Sequence, residues 1–207
     1  MNTVASPVDM KSPVDKGTDR VSRSQFLSLN AWFTLALCLG AMVLPLVFGK
    51  AGVWTALELT ELFSWHTALS AVLGFSVGAV TGFLIIHWSP LHVVADHMAN
   101  LVAWETLGIR DVLFIALLAA FGEELLFRGA LQPLIGLVPA ALVFGLLHAT
   151  SLPHIILAGI LGLWLGLLFF WTGDLWPPIA AHFALDTATS LLLTQQLRAG
   201  RRPAQGV

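Results

Sequence analysis

Charge is what this sequence has least of. Only 11% of its 207 residues are Asp, Glu, Lys or Arg, against 57% apolar side chains, and that ratio excludes an ordinary soluble globule. With a net charge of −2 and few, dispersed basic residues, nothing in it attracts nucleic acid. A single cysteine, Cys38, excludes an intramolecular disulfide and lies in an apolar run, where a packed thiol is the expected state. No A-x-A-like cleavage site follows the first apolar stretch, so that stretch reads as a retained span rather than a signal peptide. No long-period repeat is visible, and the order of spans gives no sign of the inverted halves of a secondary transporter.

What is present is long uncharged sequence. Twelve charges serve the 174 residues from Ser24 to Leu197, and uncharged runs extend from Ser24 to Gly49, Leu62 to Ala95 and Gly129 to Gly173. Each exceeds the ~20 residues a helix needs to cross about 30 Å of hydrocarbon. The expected fold class is all-α: a polytopic membrane helix bundle with about six transmembrane helices plus one interfacial amphipathic helix.

Residues 1–25, rich in Ser, Pro, Asp and Lys, read as a disordered cytoplasmic tail. Residues 26–110 hold two spans, about Leu27 to Phe48 and Thr67 to His87, then an amphipathic segment over 89–110. In the second span Gly74, Gly78 and Gly82 recur every four residues, a smooth stripe for close helix approach. Residues 111–195 hold four more spans, about Asp111 to Leu131, Pro139 to Thr150, His154 to Trp171 and Pro177 to Leu193, and 196–207 form a flexible tail. Lys and Arg concentrate in the two tails, which places both termini in the cytoplasm of a multi-pass protein of a bacterial-type plasma membrane.

An ionisable group at bilayer depth costs at least about 2.5 kcal/mol on insertion scales, so each one is a candidate functional group. Glu123, Glu124 and Arg128 fall within the third span, His148 in the fourth, His182 and Asp186 in the sixth. Glu124 and Arg128 are one helical turn apart with the acid first, the favourable order for a pair. Glu123, rotated about 100° round the helix, needs another partner. It lies ten residues before Pro133, and His148 nine after Pro139, so in an antiparallel pair of helices both sit roughly 14 to 15 Å from the turn and are level.

The order E-E-x-x-x-R, F-x-x-x-H, H-x-x-x-D resembles the CAAX protease and bacteriocin-processing family of intramembrane endopeptidases, which includes the Rce1-type prenyl-protein proteases. Glu123, Glu124 and Arg128 match the first motif, Phe144 and His148 the second, His182 and Asp186 the third, within about Val112 to Ser190. The resemblance implies hydrolysis of peptide bonds inside the membrane by a glutamate-activated water held by Glu123 and His148, with His182 facing the oxyanion. Well-known prenyl-protein proteases have Asn where this chain has Asp186. An ionised Asp repels an oxyanion, so Asp186 is assigned to orienting His182 or to acting as a protonated acid. Phe144 reads as packing, and His66, His87, His92, His97 and His154 as solvated residues of span ends and connections.

The expected partners are the lipid bilayer and a peptide or protein substrate, prenylated or otherwise lipidated or a peptide precursor. No cofactor is expected to be required. Zinc is the competing chemistry, since the five acids and imidazoles include enough donors, although H-E-x-x-H is missing. Two other functions stay open: a catalytically silent family member acting as membrane adaptor or immunity protein, and a proton-coupled transporter using the same acids and imidazoles as a relay.

Overall fold

Helix boundaries follow local capping signals. Ser22 caps the first helix, α1 (Arg23–Val47), in a reciprocal capping box with Gln25. Ser64 accepts from Thr67 N–H at the start of α2 (Trp65–His87), and Ser151 from His154 N–H at the start of α7 (Leu152–Thr172), which closes on Gly173 in the left-handed conformation. These three are the helices long and apolar enough to cross a membrane among the described residues. In the computed structural model, residues 20–49 and 61–200 are described. The expected tails therefore fall largely outside the described residues.

The other helices are α3 (Ser89–Leu101), α4 (Ile109–Glu124), α5 (Gln132–Ile135), α6 (Leu137–Leu147) and α8 (Trp176–Arg198). The result is a helical membrane bundle, with no strand among the described residues beyond one isolated bridge between Val21 and Val102. Much of its outer surface is apolar, including Trp32, Leu46, Phe83 and Phe170, as lipid contact requires.

Two expectations need correction. The fourth span does not reach across: α6 has 11 residues, about 16 Å, half of a 30 Å hydrocarbon core. It stops at His148, which leaves that imidazole at the end of a half-length helix. The amphipathic segment is also shorter than 89–110. Helix α3 ends at Leu101, and an extended link and a turn at Trp104–Thr106 lead into α4. Its apolar residues Leu91, Val94 and Ala95 are buried with Trp104, Leu107, Val112 and Ile115. Its apolar face thus closes the bundle from one end.

The glycine stripe of α2 seats the helix that carries His182 and Asp186. A Cβ on Gly74 or Gly78 would run into the backbone of Ala181 or Leu185 in α8, so only glycine permits this approach. Gly78→Leu is expected to destabilise the bundle by at least about 1–3 kcal/mol, the range for overpacking a tight contact. Gly40→Ala, whose Cβ would meet only the Leu126 side chain at 3.4 Å, should stay within about 0.5 kcal/mol of wild type. Unfolding in mixed detergent micelles measures both.

The ends of the described chain meet. Arg20 pairs with Glu105 at 2.8 Å, Arg23 makes a two-pronged pair with Asp111 at 2.6 and 2.8 Å, and Arg198 donates to the carbonyls of Glu105 and Leu107. This collar fixes the link after α3 and puts both ends of the described chain at one end of the bundle.

Candidate active site

The site is assembled where α4, α6, α7 and α8 meet. Helix α4 ends on Glu123 and Glu124 and passes directly into a π-helical stretch, Leu125–Leu131. There Gln132 N–H bonds to Phe127 O, five residues back, a local widening often found at functional sites.

Arg128 is 2% exposed and Glu124 fully buried. The guanidinium donates to Glu124 Oε1 at 2.8 Å and to the carbonyl of Gly162 at 2.7 Å, and it lies 4.9 Å from the centre of the Phe144 ring. One turn further on, Gln132 Nε2 donates to the carbonyl of Gly166 at 3.0 Å. Arg128 and Gln132 thus form two rungs onto successive turns of α7. The G-x-x-x-G of α7 makes this possible, because a Cβ on Gly162 would press on Phe144 at 3.0 Å.

Glu124 also accepts from His182 Nδ1 at 2.8 Å through the same Oε1. The other nitrogen of His182, Nε2, lies 3.4 Å from Asp186 Oδ2. His182 therefore stands between two carboxylates, and a proton on each nitrogen would satisfy both. Sequence reasoning found the Glu124–Arg128 pair and the proximity of His182 and Asp186. It missed the bond that ties His182 to Glu124.

Glu123 and His148 are brought together as the depth argument requires. Their closest atoms, Glu123 Oε2 and His148 Nε2, are 3.9 Å apart. His148 Nδ1 lies 2.8 Å from the carbonyl of Phe144. A carbonyl only accepts, so Nδ1 carries the proton, and in the neutral ring Nε2 presents a lone pair toward Glu123. Phe144, read from sequence as packing alone, fixes both a tautomer and an arginine. Oε2 of Glu123 and Oε2 of Glu124 are buried and accept no hydrogen bond.

A cavity of about 230 Å³ touches His148, His182 and Asp186. Glu123 lies one turn beyond cavity-lining Ala119 on the same face of α4. His154 lines it too, with its ring edge-on to His148 at 5.6 Å and Nδ1 2.7 Å from the Thr150 hydroxyl. The sequence marks His154 only as a solvated span end. Its six-residue spacing from His148 was the only signal, and it gains meaning only because α6 stops short.

Glu124 Oε1 is engaged by Arg128 and His182 and His148 Nδ1 by a carbonyl, which leaves Glu123 Oε2, Glu124 Oε2 and His148 Nε2 as the open donors of the site. Among the described residues no group of three or more His, Cys, Asp or Glu is arranged to hold a metal ion.

Residues 105–188, from the strap before α4 to the second half of α8, match the family of type II CAAX prenyl endopeptidases described as Rce1-like. This region is similar to that family. The family match agrees with the resemblance carried by the three motifs. The matched region holds Glu123, Glu124, Arg128, His148, His182 and Asp186, together with Phe144, His154, Gln132 and Gly162. The chain is also similar to the uncharacterized protein YpbD of Bacillus subtilis (strain 168), 39% identical over 105 residues that make up 49% of this chain and 56% of that protein. The aligned part thus spans about half the length of that relative. No solved structure matches.

Proposed function

We propose that the protein is an intramembrane endopeptidase in which Glu123 is the general base. One observation carries the reading: a buried carboxylate oxygen with no hydrogen-bond donor faces a tautomer-locked imidazole nitrogen across 3.9 Å. That separation is too long for a direct bond and suits one water accepted by both.

In this mechanism the water passes a proton to Glu123 as its oxygen bonds to the substrate carbonyl carbon. Glu123 then returns that proton to the amide nitrogen as the C–N bond breaks. Oxyanion stabilisation falls to His182 Nε2–H, held in place by Glu124 and, through it, by Arg128. Asp186 faces Nε2 of His182 at 3.4 Å and must draw back for that donor to reach substrate. Its side chain, 32% exposed and 3.4 Å away, is free to do so. Substrates are membrane-associated peptides, prenylated or not, that present a bond at the depth of the half-length α6. No metal takes part.

The test compares new protein termini in membranes of cells carrying wild-type protein or Glu123→Ala. A set of termini should vanish with the variant, and cleavage of the corresponding peptide by purified protein should persist after thorough chelation. Identical termini in both strains would instead support a catalytically silent family member, a reading that the carboxylate of Asp186 against the proposed oxyanion donor favours.

A further inference from the structure

The proton transfers on Glu123 leave one imidazole of the site unused. His154 lines the same cavity as His148, His182 and Asp186, while its Nδ1 lies 2.7 Å from the hydroxyl of Thr150, an exposed residue. We propose that His154 is a proton carrier, which takes the acid proton of the newly formed carboxyl group out of the cavity and releases it to water through Thr150. The inference rests on the endopeptidase reading above.

Hydrolysis makes such a proton. Glu123 moves one proton of the water to the amide nitrogen, so the other stays on oxygen when the C–N bond breaks, and the products are an amine and a carboxylic acid. The acid leaves as a carboxylate only after losing that proton. Much of the cavity wall is aliphatic, including Ile115, Leu157 and Leu165, and a free hydronium there bears the cost of any unpaired buried charge. An imidazole meets the need with two nitrogens, one to take a proton and one to give one up. The carboxyl O–H breaks, its electron pair stays on the carboxylate, and an N–H forms on Nε2. The proton on Nδ1 passes through the Thr150 hydroxyl to water, and exchange with that water restores the first tautomer.

Backbone contacts place this ring. Thr150 N–H bonds to the carbonyl of His148 at 2.8 Å and turns the chain back directly after α6. Ser151 accepts from His154 N–H at 3.3 Å as it caps α7. Gly145 lets the two helices lie together, since a Cβ there would come within 2.7 Å of the Ile155 carbonyl oxygen. The ring centres of His148 and His154 are consequently 5.6 Å apart, edge-on, a gap that one water bridges. Helix α7 is long enough to cross a membrane, so Thr150, just before its first turn, stands at the end of that span. The groups facing His154 are His148 of α6 and His97 of α3, with His182 and Asp186 of α8 across the cavity. No carboxylate among the described residues pairs with it, so a proton taken up is passed on rather than held in an ion pair.

The experiment compares full-length wild type, His154→Asn and His154→Ala in lipid nanodiscs on one cleaved membrane-spanning peptide. Asn keeps a hydrogen-bonding group for the Thr150 hydroxyl but carries no proton. Both variants should lose kcat by about 10²-fold, the low end for a positioned proton-transfer group, with KM unchanged. Imidazole added to the buffer should restore kcat of His154→Ala in proportion to its concentration. Full kcat in His154→Asn, or a loss in His154→Ala that imidazole does not restore, would overturn the carrier while leaving the peptidase intact. A second measurement needs no turnover: deuterium uptake at the imidazole C2 positions of wild type, a reaction of the protonated ring, read by mass spectrometry. His154 should exchange much faster than buried His182, and equal protection of the two would refute the carrier. No cleavage of any peptide by wild type would count against the endopeptidase reading, and the exchange at His154 would then decide alone whether this ring passes protons to the surface.

Discussion

Glu123→Gln is expected to lower kcat/KM by about 10²–10⁴-fold, the contribution of a positioned general base, while the unfolding midpoint stays level or rises. The substitution keeps the shape of the side chain and removes its ability to take a proton. Stability should not suffer, because Glu123 Oε2 accepts no hydrogen bond and its nearest cationic candidate, His148 Nε2, is 3.9 Å away. A buried carboxylate without a close partner destabilises the fold that holds it. The glutamine amide, by contrast, can donate toward the lone pair of His148 Nε2, whose proton is committed to the other nitrogen. Initial rates on a cleaved peptide in nanodiscs, measured beside unfolding of the same preparations, give both quantities. Retention of more than a tenth of wild-type kcat/KM would place the base elsewhere. Loss of activity together with a large fall in stability would mean that Glu123 is a structural ion after all.

The parts of this molecule legible in the sequence are those that side-chain type and spacing encode. Long uncharged runs located α1, α2 and α7, and serine caps account for where they start. The Gly74–Gly78–Gly82 period marked the face that meets α8. Charges stranded in apolar sequence marked Glu123, Glu124, Arg128 and Asp186, and the motifs added His148 and His182. What stayed hidden depends on backbone carbonyls, which every residue has and no sequence pattern advertises. Arg128 ends on Gly162 O, Gln132 on Gly166 O and His148 on Phe144 O, and each of these bonds fixes a site residue. The π-helical stretch, Leu125–Leu131, is hidden for a similar reason: no side-chain pattern marks a wider turn. The end of α6 is legible too: His148-Ala149-Thr150-Ser151-Leu152-Pro153 interrupts the apolar run, and the helix stops at Leu147, three residues before the expected bound near Thr150.

Glu124→Ala should be the most damaging single change to the fold. It strands a guanidinium that is 2% exposed and removes the acceptor of His182 Nδ1. Breaking a buried pair by deleting one partner costs about 3–5 kcal/mol, here with a further hydrogen bond to an imidazole lost. Arg128→Ala should cost a similar amount by leaving Glu124 buried without its cation. The two changes remove one interaction and so should be far from additive. Replacing both partners with apolar residues of similar volume, Glu124→Leu with Arg128→Met, should recover most of the lost stability, because neither charge then remains to be buried. Activity should not recover with it. In the double variant His182 keeps only Asp186 at Nε2, so nothing fixes Nδ1 and the ring can turn away from the carbonyl it is to polarise. Unfolding in mixed micelles and cleavage rates on the same samples separate the outcomes. A stable but inactive double variant assigns Glu124 and Arg128 the work of holding His182. One that regains cleavage would show that the pair serves folding alone, and that His182 needs no more than Asp186 to find its place.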